Sequence, residues 1–165
     1  VFNNIVSIWA GGYSTCAKKN DGAVYCWGRN DRYQLNDGTT THHSLPVATS
    51  GLSNATSGSL NEMFQCAVLS SGLKCLGYNG AGNLGIGSTV TPQSSLQSPS
   101  IASNAVSVGV SSGQNYFACA LLDTDRVQCW GENEKGQLGD NSTTTRTSPV
   151  YVIDDATGAN LDVTP

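Results

Sequence analysis

Along the chain, apolar residues come in short bursts separated by Gly, Ser, Asn and Thr, and no burst sustains the i, i+3, i+4 spacing of a helix. Segments such as Ile5-Val6-Ser7-Ile8-Trp9-Ala10 and Ala105-Val106-Ser107-Val108 are apolar runs diluted with small residues. They predict inner strands buried on both faces. Next comes a hairpin, whose turn is Asn20-Asp21-Gly22, Ser70-Ser71-Gly72 or Asp123-Thr124-Asp125. Those residue types supply positive φ or close Asx turns. A Thr/Ser/Pro stretch then leads to the next unit. The pattern predicts an all-β chain of short antiparallel strands.

The bursts repeat. Six cysteines fall into three pairs, Cys16/Cys26, Cys66/Cys75 and Cys119/Cys129, with first members 50 and then 53 residues apart. The first copy reads Cys16-Ala17, then Asp21-Gly22-Ala23-Val24-Tyr25-Cys26-Trp27-Gly28-Arg29-Asn30, then Gln34-Leu35-Asn36-Asp37-Gly38-Thr39-Thr40. The third reads Cys119-Ala120, Val127-Gln128-Cys129-Trp130-Gly131-Glu132-Asn133 and Gln137-Leu138-Gly139-Asp140. The second keeps Cys66-Ala67, Cys75-Leu76-Gly77-Tyr78-Asn79 and Asn83-Leu84-Gly85. A period near 50 residues with three or four strands per unit is that of a propeller blade.

This string resembles the regulator-of-chromosome-condensation repeat in its cysteine-bearing bacterial form. The resemblance implies a β-propeller, commonly of seven blades, each a four-stranded antiparallel sheet. Blades are expected at about 1–50, 51–102 and 103–153, with 154–165 starting a fourth repeat: Asn160-Leu161-Asp162-Val163 echoes Asn104-Ala105-Val106-Ser107-Val108. Three blades are fewer than the 4–8 of typical rings, so a partial propeller within a longer array, or one that self-assembles as a homo-oligomer, is expected. The departures are Asn36 where Gly would follow Gln-Leu, Leu76 in place of Trp, and a blurred first strand around Leu52–Leu60. They mark the middle blade as the specialised one.

Composition narrows the function. Charged residues are only 12% of the chain, against about a quarter in an average soluble domain; 35 Ser and Thr and 14 Asn carry the polarity instead. A net charge of −4 leaves no basic face for nucleic acid or an anionic membrane. No apolar run approaches the roughly 18 to 20 residues of a membrane span. Zinc is the rival use of the cysteines, but structural zinc sites space Cys by two to four residues, whereas the gaps here are 9, 8 and 9. His42 and His43, the two histidines, are adjacent and point opposite ways on an extended segment. Each pair instead faces across a hairpin, within disulfide reach. Three local disulfides are therefore favoured, with the middle turn one residue shorter or bulged. They imply an oxidising compartment, secreted or at the cell surface.

Trp27, Gly28, Leu35, Gly77, Leu84, Trp130, Gly131 and Leu138 recur in phase and read as blade framework rather than as a sugar-stacking site. Asp123, Asp125, Glu132, Glu134 and Asp140 concentrate in the third repeat, but match no calcium loop. Two sequons, Asn54-Ala55-Thr56 and Asn141-Ser142-Thr143, would mark surface loops in a secreted eukaryotic protein. No phosphate-binding, dinucleotide or nucleophile motif is present, and neither metal nor cofactor is expected.

Positions that vary between repeats remain. After the Trp-Gly step stand Arg29, Arg32 and Tyr33 in the first copy, Tyr78 in the second, and Glu132 and Lys135 in the third. They are candidate contact residues on loops gathered at one face. The expected function is a non-enzymatic extracellular recognition or adhesion module for a protein or glycan on another cell or surface. The alternatives are a carbohydrate-active enzyme using Glu132 or Glu134 and an architectural spacer in a surface fibre. Nucleotide exchange on a small GTPase, the activity the family resemblance brings with it, does not fit an oxidising compartment.

Overall fold

The computed structural model describes residues 2–154. Its strands are β1 (Ile5–Gly11), β2 (Ser14–Lys19), β3 (Val24–Gly28), β4 (His43–Ala48), β5 (Ser57–Leu60), β6 (Phe64–Leu69), β7 (Gly72–Gly77), β8 (Gln93–Gln97), β9 (Ala105–Val110), β10 (Phe117–Leu122), β11 (Val127–Gly131) and β12 (Arg146–Tyr151). They form three four-stranded sheets, β1-β2-β3-β4, β5-β6-β7-β8 and β9-β10-β11-β12, each a meander of antiparallel neighbours. These are propeller blades. The expected start of a fourth repeat lies, apart from Asp154, outside the described residues.

All three cysteine pairs are disulfides, and each joins residues directly opposite one another on the second and third strands: Cys16–Cys26, Cys66–Cys75 and Cys119–Cys129. Their Cα atoms are 4.0–4.1 Å apart, the close spacing of facing residues in an antiparallel pair. The middle hairpin is the tight one, since Leu69 pairs with Gly72 across Ser70-Ser71. The outer strands carry Pro46 and Pro149, which an edge strand tolerates because one row of its N–H groups has no ladder partner.

The blades stack face to face. Trp9, Cys16, Val24, Cys26 and Leu35 of the first blade pack on Leu52, Ala55, Leu60 and Ala67. The other face of the second blade, with Phe64, Cys66, Val68, Leu73, Cys75 and Leu84, packs on Ala105, Val108, Ala118, Ala120, Leu122 and Trp130 of the third. The inner strands are not buried on both faces as their composition suggests. Val6, Ile8 and Val106 are 60%, 65% and 54% exposed, whereas β5 has no exposed residue. The reason is position: β5 lies between two blades, while β1 and β9 each have a blade on one side. Sequence alone reports the apolar character of a face and not whether a neighbour covers it.

The two blade junctions are filled differently, and this accounts for the departures in the middle repeat. At the second junction Trp130 is fully buried, and its Nε1 donates to the Asn83 carbonyl at 3.0 Å. Its ring lies against Gly85, where an added Cβ would come within 2.9–3.1 Å of three ring atoms. At the first junction the repeat alignment puts Leu76 at the Trp130 position and Asn36 at the Gly85 position, a smaller side chain and a residue that carries a Cβ. Bulk shifts to the inner strands instead. Trp9 lies across Gly58, where a Cβ would fall 2.5–2.9 Å from the indole. At the second junction the inner strands meet instead through Ser57 and Ser59, whose hydroxyls accept from the Val108 and Val110 N–H groups at 3.4 and 3.0 Å. Leu76, Asn36 and Gly58 are thus one compensated set.

Candidate recognition surface

Each blade presents its first turn and the long segment after its third strand at one edge, and its second-to-third-strand hairpin turn at the other. The Trp-Gly step sets the start of the long segment. Gly28, Gly77 and Gly131 have φ of 106°, 109° and 104°. A Cβ there would lie 2.2–2.4 Å from the carbonyl oxygens of Tyr13, Met63 and Tyr116. Those same oxygens accept from the next N–H, of Arg29, Tyr78 and Glu132, each at 2.9 Å. Glycine is required because backbone meets backbone.

A fully buried asparagine then clasps each long loop. Asn30, Asn79 and Asn133 accept from the N–H groups of Leu35, Leu84 and Leu138 at 2.9 Å. Their amide groups donate back to the far side of the loop, Asn30 to Asp37 and the Thr39 carbonyl, Asn79 to the Ser88 carbonyl, and Asn133 to Asp140 and the Ser142 and Thr144 carbonyls. Leu35, Leu84 and Leu138 are fully buried beneath. The carboxylates close two of the loops: Asp37 meets His43 Nε2 at 2.8 Å and Asp140 accepts from Arg146 Nε at 2.7 Å. Burial pushes both carboxyls upward, but hydrogen bonds outweigh it and hold them below the usual range, for Asp37 from the Thr39 N–H, Asn30, the Thr39 hydroxyl and His43, and for Asp140 from Ser142, Arg146 and Asn133.

On this frame a strip of side chains crosses all three blades. In the first, Arg29 donates twice to Asp31 at 2.8 Å, which is the main cause holding the Asp31 carboxyl below its usual range, and lies 5.8 Å from the centroid of the exposed Tyr13 ring. Gly12 abuts Glu62, and Gln34 donates to the Glu62 carbonyl at 2.9 Å, linking the first blade to the turn of the second. There the Tyr78 and Tyr116 rings stack at 4.8 Å between centroids, tilted by 52°. The Tyr116 hydroxyl points to Met63 Sδ at 3.6 Å, and its N–H donates to Glu132 at 3.1 Å. Buried Asn61 pins the loop before Tyr116 by donating to the carbonyls of Ser111 and Gly113. Burial chiefly raises the Tyr116 phenol, with Tyr78, Glu62 and Glu132 adding to it and Arg29 opposing. These groups are therefore within electrostatic reach of the Tyr116 hydroxyl.

Of the candidate contact residues, Arg29, Tyr78 and Glu132 come together on this strip. Arg32, Tyr33 and Lys135 sit in the adjoining turns, Tyr33 at φ 63° and the Lys135 N–H held by Gln137 at 2.9 Å. Trp27 is half-exposed, with Phe2 edge-on to it at 6.0 Å, while its counterpart Trp130 is buried. The acids of the third repeat are dispersed: Asp123 and Asp125 lie in the opposite hairpin turn and Asp140 is committed to its loop. No set of three His, Cys, Asp or Glu placed to hold a metal occurs among the described residues. Asn54 and Asn141 of the sequons are exposed in turns at φ 61° and 57°. Sequence does not single out Tyr13, Glu62, Met63 and Tyr116 as contact residues: Tyr13, Met63 and Tyr116 stand three positions before the first cysteine of each pair, within the repeat itself, and nothing there marks them as exposed to a partner. A hollow of about 690 Å³ beside Gly139, Asn141 and Ile153 lies apart from the strip.

The solved structures that this fold matches are propellers. Human WBSCR16 aligns over 92% of this chain and 40% of its own, at 18% identity and a TM-score of 0.77. Prp20p from Saccharomyces cerevisiae aligns over 93% and 39%, at 17% identity and a TM-score of 0.75. Yeast RCC1 (Prp20) in its complex with Kap60 aligns over 100% and 39%, at 17% identity and a TM-score of 0.69. This chain thus spans about two fifths of the length of these proteins. Two models of the regulator of chromosome condensation (RCC1) repeat match the sequence, one over residues 5–34 and 108–137 and the other over 21–61. Together these matches span more than half of the chain, which belongs to the RCC1 repeat family.

Proposed function

We propose that this chain is a non-enzymatic recognition module that binds a protein through the strip from Tyr13 to Glu132. The observation that carries the reading is the continuity of that strip: aromatic, Arg and carboxylate side chains from three blades lie side by side, Arg29, Tyr78 and Glu132 next to buried Asn30, Asn79 and Asn133 and Tyr13 and Tyr116 on the first turns beside them. Rigid aromatic and Arg groups on a firm scaffold are preferred contact residues, because little side-chain entropy is lost on binding. Solved relatives lend support: the yeast structures are described by complexes or binding with Kap60, Gsp1p and histones, all proteins. Three disulfides fit an oxidising compartment, and favour work outside the cytosol. A photo-crosslinking residue at position 78 should capture a protein from the native surroundings, and one at Ser71 in the opposite hairpin turn should not. Equal capture from both positions contradicts the reading.

A further inference from the structure

Around Tyr78 and Tyr116 the charges are unequal. Arg29 is a cation within electrostatic reach of the Tyr116 hydroxyl, and Asp31 already binds it through two hydrogen bonds at 2.8 Å. Two carboxylates share that reach. Glu132 spends one oxygen on the Tyr116 N–H at 3.1 Å. The Glu62 carboxylate forms no hydrogen bond or ion pair among the described residues and is felt by Arg29 only through space. Both rings are half-exposed, with Met63 sulfur beneath the Tyr116 hydroxyl. Paired tyrosine faces beside unspent carboxylates attract cations, through ring quadrupoles and direct charge. Arg32 and Lys135 stand in the flanking turns, where their backbone N–H groups donate to Gln34 and Gln137.

We propose that the Tyr78–Tyr116 pair with Glu62 and Glu132 is a subsite for a cationic side chain, Lys or Arg, on a basic segment of the partner protein. This rests on the protein-binding reading above and gives that partner a chemistry. A guanidinium suits the site better than an ammonium, because its plane can stack on a tyrosine while its edge meets a carboxylate.

The test is a titration of the isotopically labelled full chain with capped tetra-arginine, tetralysine, tetraglutamate, a Gly-Ser peptide and maltotriose, followed by amide chemical shifts. Tetra-arginine is expected to shift the amides of residues 62–63, 78–80, 115–117 and 132, more tightly than tetralysine and at least threefold more weakly at tenfold higher salt. Glu62→Gln should weaken it about fivefold, whereas Asp125→Asn in the opposite turn should leave it unchanged. The proposal is overturned if Glu62→Gln and Asp125→Asn weaken binding equally, since the attraction is then diffuse. It is overturned also if tetraglutamate, the Gly-Ser peptide or maltotriose shifts the same amides as strongly. In the peptide cases the protein-binding reading survives and its cationic chemistry does not; maltotriose would point to a glycan. Capture of a protein from position 78, with no shift by any cationic peptide, likewise removes this inference alone.

Discussion

The residue that holds each loop is an asparagine whose amide works in both directions. It accepts from a buried leucine N–H and donates to carbonyls nine or eleven positions further on. A side chain with only one polarity cannot do both, so Asn133→Ala leaves the Leu138 N–H buried without a partner. Such groups cost about 1–3 kcal/mol each. Chemical denaturation should therefore show Asn133→Ala less stable by at least about 2 kcal/mol, with protease cleavage appearing between residues 134 and 145. The carboxylates tied to these asparagines set the acid limit. Asp37 and Asp140 are held below their ordinary range in the folded chain, so their contribution is whole above the unfolded value of about 4 and is lost as pH falls through the folded value. The melting temperature should be flat from pH 7 to 5 and then drop. Asp37→Asn and Asp140→Asn should be less stable at pH 7, with a shallower acid drop; an unchanged slope would show that other groups set the limit.

At the level of strands and blades, the middle repeat is a compensated element. Leu76→Trp restores the repeat motif, yet it should destabilise the chain by about 1–3 kcal/mol, the usual cost of overpacking, because Asn36 carries the Cβ that Gly85 lacks. Asn36→Gly in the same chain should recover most of that loss, and the coupling energy from the four variants measures the contact itself. Gly58→Ala has no such remedy while Trp9 remains, and its stability should fall measurably. The hairpins bear a different strain of constraint. Each disulfide closes a loop of 9 or 10 residues, for which chain entropy gives about 2.7 kcal/mol. All six cysteines but Cys119 are buried, so a reductant should act on two of the three disulfides only as the chain unfolds. Strand order, hairpins and disulfides were legible in the sequence because each depends on local spacing. The exposure of Val6, Ile8 and Val106 was not, because it depends on which blade lies alongside.

Across the whole molecule, the repeat sets the frame and the positions between its constant residues make the surface. Framework residues such as Leu35, Leu84 and Leu138 are constant because every blade needs them, and they were readable for that reason. Arg29, Tyr78 and Glu132 were readable as the varying positions between them. Their neighbours Tyr13, Glu62 and Tyr116 were not, since residues 13, 62 and 116 meet only when the blades stack and no spacing in the chain records that meeting. The central claim is that the strip these residues form is the binding surface. Hydrogen exchange of the chain with and without a captured protein partner tests it directly. The account predicts slower exchange on binding at residues 29–33, 61–63, 78–80, 111–117 and 132–135, with the hairpin turns at 20–22, 70–71 and 123–125 unaffected. Protection confined to those hairpin turns, with the strip exchanging as before, would contradict it.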